Sequence, residues 1–242
     1  MKSQDSNLKL KDHKKSNIWL LFTDEFRGFY KSKIMMILWI GLPLISFLLQ
    51  YLNPDSDDLD GMPLISLIVI LISSIGGSLS AVMISTSIAN ERGKNVYDLF
   101  LVRPVKRFEL ITSKYLAVLS CVFIAIIISL FIGAVVDYIN QPELPQEILK
   151  EMMKTNIESI IISFCSVIIS CSLGVLFGVI IKSTAAVALF SLYIGNQLSS
   201  IILLPTVFYK DIPKIPYVLS MAAILGLGLF LISLIIFNKK DI

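Results

Sequence analysis

Charged side chains are scarce in this sequence: Asp, Glu, Lys and Arg make up 16% of the 242 residues, histidine occurs once, at His13, and cysteine three times. A single histidine and scattered cysteines exclude a zinc-type ligand cluster. Cys121, Cys165 and Cys171 all lie in apolar stretches, where cysteine acts as a small buried hydrophobe. No G-x-x-x-x-G-K-S/T run is present to wrap nucleotide phosphates with backbone N–H groups, so the chain has no nucleotide-hydrolysing loop of that kind. Asp, Glu and His are missing from the long apolar stretches, and no nucleophile has a base in view, which argues against catalysis at membrane depth. The first 33 residues are polar and lack a short apolar core followed by a small-residue cleavage site, so no removable signal peptide is expected.

What replaces charge is hydrocarbon: 55% of residues are hydrophobic and the mean hydropathy is +0.80, beyond what a soluble domain of this length can present to water. Six windows contain no Asp, Glu, Lys or Arg: 34–54, 61–90, 115–136, 159–181, 183–209 and 215–238. Each is long enough for a spanning helix, which needs about 20 apolar residues because every backbone N–H and C=O must be paired internally in lipid. The expected fold is an all-α integral membrane protein with six transmembrane helices. Its parts are a flexible tail over 1–16, an amphipathic interfacial helix over 17–33, and a transmembrane domain over 34–242. The spans fall near 34–53, 63–89, 115–136, 158–181, 184–204 and 217–237.

Charge then sets the orientation, since Lys and Arg collect in cytoplasmic loops. The N-terminal 33 residues, the segment 91–114, Lys182, Lys239 and Lys240 together hold 17 of the 21 basic residues, so both termini are read as cytoplasmic and the protein as a multi-pass component of the cell membrane. The same distribution explains the net charge of +3 without a nucleic-acid partner.

Along the chain, Ile18, Phe22, Phe26, Phe29 and Tyr30 recur at helical spacing, with Thr23, Asp24, Arg27 and Lys31 opposite, a pattern suited to a helix lying in the membrane interface. The second window is 30 residues long, roughly 45 Å as a helix against a hydrocarbon core of about 30 Å, so it projects beyond the bilayer. Its Ser73 and Ser74, together with Asn196 and Gln197 in the fifth window, are read first as helix-packing groups and second as a polar pathway. Gly174 and Gly178 make a GxxxG spacing that favours close helix contact.

The most informative stretch joins the second and third windows: NERGKNVYDLFLVRPVKRFELITSKY, residues 90–115. Val96, Leu99, Phe100 and Arg103 follow i, i+3, i+4 and i+7, and predict a short amphipathic helix stopped by Pro104. Lys114 falls at the membrane boundary, where a long stem lets the ammonium reach water. Leu99, Phe100 and Leu101, beside Glu91, Asp98, Arg103 and Arg107, combine an apolar anchor with a charged rim, as protein interfaces do.

This run resembles the signature of the ABC-2 type permease family at Glu91 and Arg92, Phe100 and Leu101, Pro104 and Val105, Arg107, Glu109 and Leu110, and Lys114. The chain departs from the common pattern at Gly93, Asn95, Phe100 and Ser113. The motif covers about a tenth of the chain, while the six-window layout and the basic C-terminal end resemble the family throughout. The resemblance implies a coupling helix between spans 2 and 3 that seats in a separate ATPase subunit, with Glu91, Arg92, Val96, Asp98, Leu99, Phe100, Arg103, Pro104 and Arg107 at that interface. It implies an exporter built with a second permease, an identical copy or a related chain, with ATP and Mg bound in the ATPase and no cofactor in this chain. Uncharged spans suit an amphiphilic or apolar cargo such as a lipid, drug or peptide. Two other classes stay open on the residues alone: a stand-alone secondary transporter, which would need ionisable groups in the membrane, and a non-transporting scaffold or immunity protein.

Overall fold

The computed structural model describes residues 17–52, 64–94, 107–140, 146–208 and 214–239, and every described element is helical. In chain order these are α1 (Asn17–Tyr30), α2 (Lys33–Leu52), α3 (Leu64–Gly93), α4 (Arg107–Asn140), α5 (Gln146–Ile180), α6 (Thr184–Phe208), α7 (Lys214–Met221) and, after a π-helical turn at Ala222–Leu227, α8 (Gly228–Lys239).

Among the described residues, four stretches are long and apolar enough to cross a bilayer: Leu71–Gly93, Phe108–Gly133, Ile157–Ile180 and Ile215–Lys239. A fifth arises if α1 and α2 are taken as one bent span, the two meeting at 64°. The break lies at Ser32, whose backbone N–H donates to the Phe29 carbonyl at 3.0 Å. Its hydroxyl accepts the Met35 N–H at 3.3 Å, so it caps α2 at the position where Ser satisfies an orphan amide. Pro43 is buried within α2, and the helix runs on through it.

α5 is the axle of the bundle. In its apolar window 67% of residues are buried inside the protein, against 22% for the last span, which therefore lies at the periphery with Leu227, Leu231 and Ile235 turned outward. α3 lies along α5 because both contribute small residues. A Cβ added at Gly174 would meet the Ala81 carbonyl oxygen at 2.6 Å, and one at Gly178 would meet the Ser85 carbonyl oxygen at 3.0 Å, so the two backbones are in direct contact. α6 packs on α3 and α5 through buried Val187, Ser191 and Gly195, and α2 packs on α4. Ile84 and Ile88 of α3, Val118 and Val122 of α4, and Val167, Ile169 and Val175 of α5 form the centre of one apolar core. In the last span the π turn directs Ala222 and Gly226 inward before the α-helix resumes.

Hydroxyls and one indole cross-link these helices. Ser73 of α3 donates to Ser163 of α5 at 2.8 Å, and Trp39 Nε1 of α2 donates to the Cys121 carbonyl of α4 at 3.2 Å. Tyr115 Oη of α4 lies 3.0 Å from Ser172 Oγ of α5.

Candidate functional site

A cluster of charged residues lies at the end of the bundle where α3 and α5 finish and α4 begins, with α1 beside it. α1 places Ile18, Phe22, Phe26 and Phe29 half-buried, as its periodicity predicts, and leaves Thr23, Asp24, Arg27 and Lys31 exposed. Tyr30 differs: it is exposed, and its ring meets Trp39 edge-on with centroids 5.5 Å apart. Between Phe22 and Phe29, on the same inner face, sits Glu25.

Glu25 meets Lys114. The ammonium lies 2.6 Å from Glu25 Oε1 and 2.5 Å from Glu91 Oε1, and the Lys114 side chain is only 2% exposed. The expectation that Lys114 reaches water at the boundary is therefore corrected: α1 folds over it, and two carboxylates replace the lost hydration. A buried ammonium needs such partners because stripping it of water costs several kcal/mol. The trio joins α1, the last turns of α3 and the first turns of α4, and its formal charge is one negative. Burial pushes the Glu25 carboxyl above its usual value, while the attraction and hydrogen bond of Lys114 pull it back down.

Arg92, next in sequence to Glu91, turns to α5. Its Nη1 donates to the Gly178 carbonyl at 3.3 Å and also to the Val179 carbonyl. These are among the last carbonyls of α5, at the negative end of the helix dipole, so a guanidinium is well suited to bind them. The closeness that Gly178 allows between α3 and α5 places Arg92 within reach.

The residues singled out in the sequence thus separate into groups. Glu91 and Arg92 face their own bundle through these contacts. Val96, Asp98, Leu99, Phe100, Arg103 and Pro104 lie outside the described residues, and Arg107 opens α4 with its side chain likewise outside the description. Ser74 donates to Asn196 Oδ1, tying α3 to α6, whereas Gln197 is exposed on α6. Sequence reasoning missed Glu25, although its spacing from Phe22 and Phe29 was a signal: an acidic residue in the middle of an apolar stripe needs a buried cation.

A cleft of about 520 Å³ opens beside the trio, lined by Glu25, Gly28, Phe29, Ser32, Met83, Thr86, Ser87, Asn90 and Thr184. No group of three or more His, Cys, Asp or Glu fit to hold a metal occurs among the described residues.

A bundle with four described stretches long and apolar enough to cross a bilayer defines a multi-pass membrane protein. Compared with known families, the chain matches the ABC-2 family transporter protein over residues 46–239, and it belongs to that family. It is a permease-type membrane component of a transporter, not itself catalytic. Comparison with curated proteins gives no match.

Proposed function

We propose that this chain is the membrane subunit of an ATP-driven exporter of amphiphilic or apolar cargo. In this reading six crossings, made by α2, α3, α4, α5, α6 and the α7–α8 pair, leave both termini in the cytoplasm, with α1 lying in the interface. A separate ATPase subunit binds ATP and Mg, and a second permease, identical or related, completes the pathway.

The observation that carries the reading is the anchoring of both ends of the segment between α3 and α4. Glu91, just before that segment, and Lys114, just after it, are paired at 2.5 Å, and Arg92 is bound to the end of α5. A docking element seated in an ATPase can move a bundle only if its ends are attached to it. Here a displacement of residues 95–106 acts on α3, α4 and, through Glu25, on α1. The predicted anchor within that segment is Leu99 and Phe100.

Leu99→Asp and Phe100→Asp should each reduce recovery of the ATPase subunit in pull-down by about tenfold or more, the size expected for an interface anchor. Their size-exclusion profile and melting temperature in detergent should stay close to wild type. Full ATPase recovery and full transport by both variants would overturn the reading.

A further inference from the structure

The cleft at the charged end is rich in hydrogen-bond acceptors, and its lining contains no basic residue. Glu25 supplies a carboxylate whose Oε1 is held by Lys114 and whose second oxygen has no partner among the described residues. The Ser87 hydroxyl and the Asn90 amide likewise have none, while the Thr86 hydroxyl donates to its own helix at the Val82 carbonyl, 2.6 Å away, and keeps its lone pairs for the cleft. Phe29 and Met83 provide apolar wall. The second carboxylate oxygen of Glu25, the hydroxyls and the Asn90 amide oxygen can receive a group that brings N–H donors and positive charge, and with Glu91 the carboxylates outnumber the one Lys114 ammonium that holds Glu25 Oε1.

Position narrows the ligand further. The cleft lies between α1, the final turns of α3 and the first residue of α6, beside the charged trio, and the exporter reading puts this end of the helices near the headgroups of the adjacent leaflet. Its volume is in the range of sites for small molecules or single headgroups. Lys31 and Lys182, next to Ser32 and near Thr184 in sequence, are exposed and do not line the cleft.

We propose that this cleft binds the primary ammonium group of an amphiphile held in the adjacent leaflet, with Glu25, Ser87 and Asn90 receiving its N–H donors. The proposal deepens the exporter reading and rests on it for the role of the cleft as a cargo-loading site. Two sources share this chemistry: a resident aminophospholipid and an amine-bearing cargo.

The test uses the full chain in phosphatidylcholine nanodiscs and three photoactivatable probes of equal chain length, ending in a primary amine, a carboxylate or a hydroxyl. The amine probe should label peptides spanning residues 25–32 and 83–90 at least fivefold more than the other two. Thr184→Trp, which adds bulk to the cleft from α6 without replacing a member of the charged trio, should lower amine labelling by about fivefold. Asn90→Asp, which adds a negative charge at an exposed position, should raise it by about threefold to fivefold, a gain that misfolding cannot imitate. Competition by added phosphatidylethanolamine assigns the site to lipid, and its absence assigns it to cargo; both results support an ammonium site. Equal labelling by amine and carboxylate probes, or wild-type labelling in Thr184→Trp, would overturn it. Because labelling needs no ATPase, failure here with normal ATPase pull-down refutes the cleft alone. Selective labelling with no pull-down refutes the exporter reading and leaves the ammonium site standing.

Discussion

Lys114 Nζ lies 2.5 Å from Glu91 Oε1 across 23 positions of chain, closing a loop whose two ends belong to different helices. The contact converts a stretch between helices into a tethered element, and Glu25 extends the tether to α1 at 2.6 Å.

Lys114→Met should destabilise the protein by about 3–5 kcal/mol, because it leaves two carboxylates beside an apolar stem with no counter-charge. The triple variant Lys114→Met, Glu25→Gln, Glu91→Gln removes the charges together and should regain most of that loss. Thermal melting in detergent checks both. A triple variant no more stable than the single one would show that packing rather than charge pairing holds the site.

Acidification should act through Glu25. Its carboxyl titrates above the ordinary value of 4.5, so folding favours its protonated form. The stability it contributes is fully present below the unfolded-state value and fades as pH rises through the raised folded value. The groups facing it are Lys114, Glu91 and Asp24. Compared with Glu25→Gln, the wild type should therefore gain melting temperature as pH falls from neutral towards 4.5. A difference between the two proteins that stays flat with pH would contradict this assignment.

Gly174→Ala should destabilise the bundle by about 1–3 kcal/mol, the usual range for forcing extra volume into a packed contact. Its Cβ would fall 2.6 Å from the Ala81 carbonyl oxygen and 2.8 Å from Ala81 Cα, backbone atoms that can yield only if α3 and α5 separate. Gly41→Ala, where nothing lies within 4 Å of the added carbon, is the control and should melt near wild type. Equal melting of the two variants would refute the close crossing.

The uncharged windows 61–90, 115–136, 159–181 and 215–238 overlap the four described stretches long and apolar enough to cross a bilayer. The uncharged windows 61–90 and 159–181 overlap α3 and α5, because freedom from charge over that length is a local property of the chain. Boundaries were less legible. α4 and α5 begin before their windows, at Arg107 and Gln146, since a helix continues through charged residues once it leaves hydrocarbon. The GxxxG spacing marked a close contact, but only the fold names Ala81 and Ser85 as the surface it meets.

By itself the sequence determined that this protein lives in a bilayer and that its charges lie outside the apolar spans, both of which follow from the distribution of residues along one chain, while residues 91–114 carry a resemblance to the ABC-2 permeases. The tertiary structure decided who pairs with whom. Glu25, Glu91 and Lys114 carry no mark of their partnership in order or spacing, because attraction between charges acts through space, and only the packing of α1 and of α3 against α4 brings both carboxylates within 3 Å of the Lys114 ammonium and buries it.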